Sequence, residues 1–320
     1  MQIMTLSRRT FSGLLAGAMA APFAGATASR AADKVLRIGY QKYGTLVLLK
    51  GKGLLEKKLE KIGYQVKWTE FPAGPQLLEA LNVGAVDFGS TGETPPIFAQ
   101  AAGAPLVYVA HEPPAPRGEA ILVPKGSPIT SVAQLKGKTV ALNKGSNVHY
   151  LLVKALEEAG LAYTDIKTSF LPPADARAAF ERGAVDAWVI WDPFQAAAEI
   201  AIEARELRNG EGLVPNHQFY LGARPFVEGN AQALDLTLQA IAEIDDWTKA
   251  NTAAAAAELA PSVGIPEPTL VRALERQSYG VKALDKTVIA QQQAIADTFF
   301  ALGLIPTKLV IADVVRKGAA

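Results

Sequence analysis

From residue 34 onward, short runs of branched and aromatic residues alternate with runs of helical period. Residues 35–40, Val-Leu-Arg-Ile-Gly-Tyr, read as a strand. Two short helical pieces follow, ending in Gly53-Leu54-Leu55-Glu56-Lys57-Lys58-Leu59-Glu60-Lys61, whose apolar positions share one face. Residues 66–71 form a second strand, 75–82 a helix with Leu77, Leu78 and Leu81 inward, and 86–89 a short third strand. Such alternation predicts an α/β protein, a mostly parallel sheet with helices packed on both sides.

The pattern then recurs. Ala80-Leu81-Asn82-Val83-Gly84-Ala85-Val86-Asp87 is matched by Ala179-Phe180-Glu181-Arg182-Gly183-Ala184-Val185-Asp186. In both, a helix ends on a glycine cap and Ala-Val-Asp leads into a strand. Upstream, Phe71-Pro72 and Leu171-Pro172 each end a strand and open a helix, and the strand at 138–143 with its following helix mirrors 35–40. The expectation is two lobes of the same α/β design. A strand at 106–111 is followed by the stiff connector Glu112-Pro113-Pro114-Ala115-Pro116-Arg117, and 120–123 begins the second lobe. The chain returns near 217–223 and continues as helices, with a linker expected at 261–268. Lobe 1 is then residues 34–115 with 218–320, lobe 2 is 116–217, and a ligand cleft lies between them at the strand ends.

Composition narrows the function. The 320 residues carry 32 Lys+Arg against 31 Asp+Glu, a net charge of +1, which gives no support to nucleic-acid binding. With no cysteine, disulfides, thiolate nucleophiles, zinc–thiolate sites and iron–sulfur clusters are excluded. No cofactor or metal is expected.

The N-terminus reads as an address. Ser7-Arg8-Arg9-Thr10-Phe11 precedes an Ala- and Gly-rich apolar stretch over 11–28 that ends in the small-residue pattern Ala26-Thr27-Ala28, with Ser29-Arg30-Ala31 as a second candidate. This order predicts a signal peptide over residues 1–31, twin-arginine-like, cleaved near residues 28–31, and an exported mature chain outside the cytoplasmic membrane.

Three loops follow strand ends and face the expected cleft: Gly39-Tyr40-Gln41-Lys42, Gly89-Ser90-Thr91-Gly92-Glu93-Thr94-Pro95-Pro96, and Lys144-Gly145-Ser146-Asn147-Val148-His149. Thr94 and Ser146 are suited to cap the helices that follow, and the free N–H groups of a helix start attract an anion. Ser90, Thr91, Ser146 and Asn147 add neutral donors. Each loop can equally be plain helix capping. Trp191, beside Asp192-Pro193 at a strand end, is the better cleft candidate; Trp188 is expected in the core. The histidines His111, His149 and His217 lack metal-ligand spacing, and no G-x-S-x-G elbow accompanies Ser146 and His149, so no enzyme is expected.

The same residues resemble the alkanesulfonate-binding proteins of ABC importers, a branch of the two-lobed type II periplasmic binding proteins. The marks include Arg37-Ile38-Gly39-Tyr40-Gln41-Lys42, Glu70-Phe71-Pro72-Ala73-Gly74-Pro75-Gln76, Gly89-Ser90-Thr91-Gly92, the run from Pro95 to Ala104, the run from Pro173 to Phe180, and Val185-Asp186-Ala187-Trp188. The resemblance implies a monomeric receptor that holds a small organic sulfonate and delivers it to a membrane permease. It implies a site of Gln41, Ser90, Thr91, Gly92 and polar groups of the 144–149 loop, among them Ser146, Asn147 and His149, bordered by Trp191 and Asp192. Glu93, Asn147-Val148 and Tyr43 depart from the family pattern and bear on which organic tail fits. Taurine, nitrate or pyrimidine-precursor binding on the same fold are the alternatives, with an enzyme on this fold, using His149, a more distant one; for taurine, Glu93, Glu112 or Asp192 would meet the amine.

Overall fold

Two five-stranded sheets organise the protein in a computed structural model that describes residues 34–42 and 44–317. The predicted signal peptide and Tyr43 lie outside the described residues. The first run of elements is β1 (Lys34–Tyr40), α1 (Thr45–Lys52), α2 (Leu54–Glu60), β2 (Tyr64–Glu70), α3 (Gly74–Asn82), β3 (Phe88–Gly92), α4 (Pro95–Ala101) and β4 (Leu106–His111). The second is β5 (Glu119–Val123), β6 (Thr139–Leu142), α5 (Asn147–Glu158), β7 (Lys167–Phe170), α6 (Pro173–Glu181), β8 (Ala187–Trp191), α7 (Phe194–Ala201) and β9 (Arg205–Asn209). The chain then returns through β10 (Gln218–Ala223) and ends in α8 (Arg224–Gly229), α9 (Ala231–Ala250), α10 (Thr252–Val263), α11 (Glu267–Arg276) and α12 (Lys286–Ala301).

The sheets have the same topology. One runs β2-β1-β3-β10-β4, the other β7-β6-β8-β5-β9. In each, three parallel strands are followed by an antiparallel fourth, β10 in the first and β5 in the second. The repeated Gly-Ala-Val-Asp serves the same purpose in both. Gly84 and Gly183 close their helices at φ 72° and 69°, where a side chain would be strained. Asp87 then accepts from the Arg37 N–H at 2.8 Å, and Asp186 from the Thr139 N–H at 2.8 Å. Each aspartate thereby ties the end of one helix–strand turn to the neighbouring parallel strand.

The fourth strand is also where the chain changes sheets. The two crossing segments run side by side: the Glu112 N–H donates to Gln218 O at 2.8 Å, and the Ala115 N–H to Pro215 O at 3.1 Å. The core lies between the sheets and their helices. β4 and β8 are buried along their whole lengths, and Trp188 sits in the core beside Phe180, as its position predicts.

Two expectations change, and one strand is new. The third strand begins at Phe88, not residue 86, because Asp87 is engaged by Arg37 and the ladder forms instead between Phe88–Gly92 and β10. The linker expected at 261–268 does not begin at Pro261, which lies inside α10; the helix ends at Gly264, whose φ is 67°. Pro261 removes one i→i−4 bond, and the helix stops within a turn of it. Finally, β9 has no counterpart in the hydrophobic pattern, since Arg-Glu-Leu-Arg-Asn is a polar edge strand. No described helix is long and apolar enough to cross a membrane.

Candidate functional site

The three predicted loops converge between the sheets. Gln41, just past β1, is buried, and its Nε2 donates to Ser90 O at 3.1 Å. Ser90 and Thr91 lie in β3, opposite Tyr220 and Phe219 of β10, and Thr91 Oγ1 donates to Gly92 O at 3.0 Å. From the other side, Asn147 at the start of α5 donates through Nδ2 to Asn216 Oδ1 at 3.1 Å and to the Glu119 carboxylate. Gly92 and Asn147 touch: a Cβ on Gly92 would lie 2.8 Å from the Asn147 carboxamide carbon.

The expected capping differs. The Ser146 hydroxyl donates back to Asn143 O at 2.7 Å, and neither it nor the Thr94 hydroxyl caps its helix. Thr94 is fully buried and its Oγ1 has no hydrogen-bond partner among the described residues. The Thr94 hydroxyl is therefore not explained by local helix chemistry.

Two adjoining cavities result. The smaller, about 20 Å³, is lined by Gln41, Gly74, Gly92, Pro95, Ser146, Asn147, Trp191, Asn216, His217 and Gln218. Its polar groups are neutral amides and a hydroxyl, with one imidazole and no lysine or arginine. Both the Oε1 and the Nε2 of Gln218 are buried without a partner among the described residues. The larger cavity, about 240 Å³, is walled by Phe71, Pro72, Pro172, Pro173, Trp191 and Phe194, with Lys42 and Glu70 also on its lining. Gln41 and Trp191 belong to both. Trp191 stands edge-on to Phe194, ring centroids 6.1 Å apart.

Of the predicted residues, Gln41, Gly92, Ser146, Asn147 and Trp191 are thus brought together. Ser90 and Thr91 lie beside them in β3 but not on either lining. Glu93, His149 and Asp192 stand behind the walls. Glu93 Oε2 accepts from the His217 N–H at 2.9 Å. Asp192 accepts from the Ala196 N–H at 3.0 Å and lies 3.5 Å from the Arg276 guanidinium; burial nevertheless pushes its carboxyl up to about 7. His149 packs among Phe98, Tyr163, Phe170 and Phe299, with Nδ1 accepting from the Gly145 N–H at 3.3 Å and Nε2 2.7 Å from the Tyr163 hydroxyl. Burial depresses it to about 4, so it is neutral. With the Ser146 hydroxyl committed to Asn143, the two form no nucleophile–base pair. Glu112 likewise turns inward, accepting from the Tyr220 hydroxyl at 2.7 Å. None of the three acids considered for an amine lines a cavity. No described cluster of His, Asp or Glu could hold a metal ion.

Sequence reasoning missed Asn216, His217 and Gln218 as wall residues. Their signal was a polar Asn-His-Gln run immediately before a buried strand, at the point where the chain changes sheets. It also missed the apolar wall from Phe71, Pro172 and Phe194, each next to a strand end.

Two α/β lobes of one topology, joined by paired crossings over a cleft, define a type II solute-binding protein of the periplasmic class. The NMT1/THI5 like family profile matches residues 60–220. An aliphatic sulfonates-binding protein of Escherichia coli K12 is 48% identical over 288 residues, 89% of this chain and 90% of that one. The crystal structure of the Escherichia coli periplasmic aliphatic sulphonate binding protein SsuA superposes with a TM-score of 0.81 at 47% identity, covering 89% of this chain and 93% of that one. The alkanesulfonate-binding protein SsuA of Xanthomonas axonopodis pv. citri, bound to MOPS, gives a TM-score of 0.84 at 43% identity, covering 88% and 98%. The chain belongs to the family of the aliphatic sulfonates-binding proteins, whose members named here are binding proteins and not enzymes.

Proposed function

We propose that this chain is the periplasmic solute-binding component of an ABC importer and captures aliphatic sulfonates for sulfur acquisition. The observation that carries the reading is the shared wall of Gln41 and Trp191 between a small polar pocket and a larger aromatic cavity. A sulfonate has the matching two parts. Its head carries one negative charge over three oxygens, which several neutral donors can satisfy without a lysine. Its tail is apolar and gains by leaving water.

In this reading lobe 1 is residues 34–115 with 218–320 and lobe 2 is 116–217. Gln41, the Ser90–Gly92 strand end, Ser146, Asn147, Asn216 and Gln218 surround the head, and Trp191 with Phe71 and Phe194 covers the tail. The chain acts as a monomer after removal of a signal peptide near residues 28–31, and passes its cargo to a permease in the cytoplasmic membrane. Glu93, Glu112 and Asp192 stand behind the walls, so the carboxylate open to a taurine-type amine is Glu70 on the larger cavity, and the taurine arm of the titration below decides between the two ligand types.

Calorimetric titration of the chain from Ala31 onward with ethanesulfonate, octanesulfonate, taurine, nitrate and sulfate tests the reading. Saturable binding of the alkanesulfonates with sulfate silent is expected. Absence of binding by any sulfonate would overturn it.

A further inference from the structure

Two glutamates stand behind the polar pocket, one from each sheet's side of the cleft, and the wall links them: Glu119 holds Asn147, Asn147 holds Asn216, and Glu93 holds the next residue, His217. Glu93 lies in the turn between β3 and α4, and Glu119 opens β5. Both are fully buried. Each has one oxygen bonded to a group that belongs to the pocket wall: Glu93 Oε2 accepts from the His217 N–H at 2.9 Å, and Glu119 Oε2 accepts from Asn147 Nδ2. The Oε1 atom of each is buried with no hydrogen-bond partner among the described residues. Neither forms an ion pair with any described lysine, arginine or histidine.

Two unpaired carboxylates in a dry interior are costly, and an anion one side chain away would add a third like charge. A proton on the pair removes the conflict and gives a lone Oε1 a hydrogen to donate. With the lobes apart, each carboxyl belongs to a separate wall of a wet cleft and has no such need. We infer that Glu93 and Glu119 form a proton-binding pair across the cleft, so that closure on an anion takes up a proton and anion affinity depends on it. This rests on the reading of the site as a sulfonate receptor.

The electrostatics agree in direction. Burial pushes Glu93 up to about 8, and burial together with the charge of Glu93 pushes Glu119 well above the ordinary carboxylate range. Other titratable groups face the pair. Tyr150 on α5 feels the charge of Glu93, which with burial raises its phenol to about 12. Tyr108 on β4 shares Gln292 of α12 with the Glu93 carbonyl, and burial raises it beyond reach of ordinary pH. His217 lines the pocket, with Nδ1 2.9 Å from Glu112 O and Nε2 3.1 Å from Gln291 Oε1. His111 stacks edge-on against it at 5.1 Å, and Asp285 at the start of α12 acts on both rings. His217 is the imidazole that the test must separate from the pair.

Closure raises the proton affinity of the coupled pair, which then shares one proton that the open cleft does not hold at neutral pH, so anion affinity falls as pH rises. The test is titration with ethanesulfonate from pH 5.5 to 8.5 in buffers free of sulfonate, repeated at pH 7 in two buffers of different ionisation enthalpy. The expected result is uptake of up to about one proton per ligand and at least about tenfold weaker binding at pH 8 than at pH 6, as one linked proton allows. Glu93→Gln should flatten the profile; if that variant does not fold, Glu119→Gln and the buffer dependence of the unaltered protein carry the test. Tight, pH-independent binding without proton uptake would overturn the inference. So would a profile that survives Glu93→Gln and disappears in His217→Asn, which assigns the proton to the imidazole. No ethanesulfonate binding at any pH would fell the sulfonate reading itself, and the inference with it.

Discussion

Asn147, the first residue of α5, packs directly on the Cα of Gly92, the last residue of β3, leaving no space for a methyl group between them. The contact joins the two sheets' sides of the cleft, so moving those sides apart would break it. Gly92→Ala should therefore oppose closure while leaving each sheet intact. Overpacking typically costs about 1–3 kcal/mol, and about 1.4 kcal/mol is tenfold in affinity. The expected outcome is binding of ethanesulfonate weaker by roughly tenfold or more, with thermal stability little changed. Because the Asn147 Cβ would itself lie 2.9 Å from the new methyl, only removal of that carbon relieves the clash. Gly92→Ala combined with Asn147→Gly should do so, and the double-variant cycle by calorimetry checks it.

Trp191 separates the functions of the two cavities. The residue is 5% exposed and lines both. Trp191→Ala should weaken octanesulfonate more than methanesulfonate, by about 1–3 kcal/mol of lost apolar burial for the long tail. An equal loss for both ligands would place the tail elsewhere.

Much of the frame is legible in the sequence because local rules write it. The paired Gly-Ala-Val-Asp segments announce a repeated helix–strand turn, and the structure gives each aspartate the same backbone partner. Gln41, Gly92, Ser146, Asn147 and Trp191 are legible because strand ends of such sheets face the cleft. The walls made by return of the chain are not. Gln218 meets Gly92 only through an antiparallel pairing between residues more than a hundred apart, which no local pattern encodes. His149 misleads for the opposite reason: its loop position suggests a ligand contact, yet the aromatic rings that claim it, Phe98 and Phe299, come from distant helices.

Arg276 of α11 holds two acids of the second sheet's layer at once, lying 3.5 Å from Asp192 and 2.6 Å from Glu199, with Arg272 3.3 Å from Glu199. Asp192 is fully buried. Arg276→Ala leaves that carboxyl without its cation, and breaking a buried pair costs about 3–5 kcal/mol. A fall in thermal midpoint of several degrees is expected at pH 8. Since Asp192 titrates at about 7 even beside the arginine, the difference from the unaltered protein should narrow at pH 5, where the acid is neutral in both. Thermal melts at the two pH values decide it.

Glu112 sits where the chain leaves the first sheet, and it shapes the response to alkali. Its Oε1 accepts from the Tyr220 hydroxyl, and Asp245 lies beside it. Asp245 is already an acceptor for the Thr45 hydroxyl at 2.5 Å and for the Gly280 and Val281 N–H groups at 3.2 and 3.1 Å, which suits it to carry the charge. Burial and that neighbouring charge push Glu112 up to about 9. The folded chain thus binds a proton that the unfolded chain has released above the ordinary carboxylate value. Stability is full below about pH 4.5 as far as this group is concerned, and is lost as pH rises toward 9, by at most about 1.4 kcal/mol per pH unit. Glu93, Glu119 and Asp192 are shifted in the same direction and steepen the fall. Glu112→Gln replaces the neutral acid with a neutral amide, so denaturant unfolding from pH 6 to 9 should show a shallower decline in the variant. An unchanged slope would mean that Glu112 is ionised in the fold, and that the crossing tolerates two adjacent buried charges.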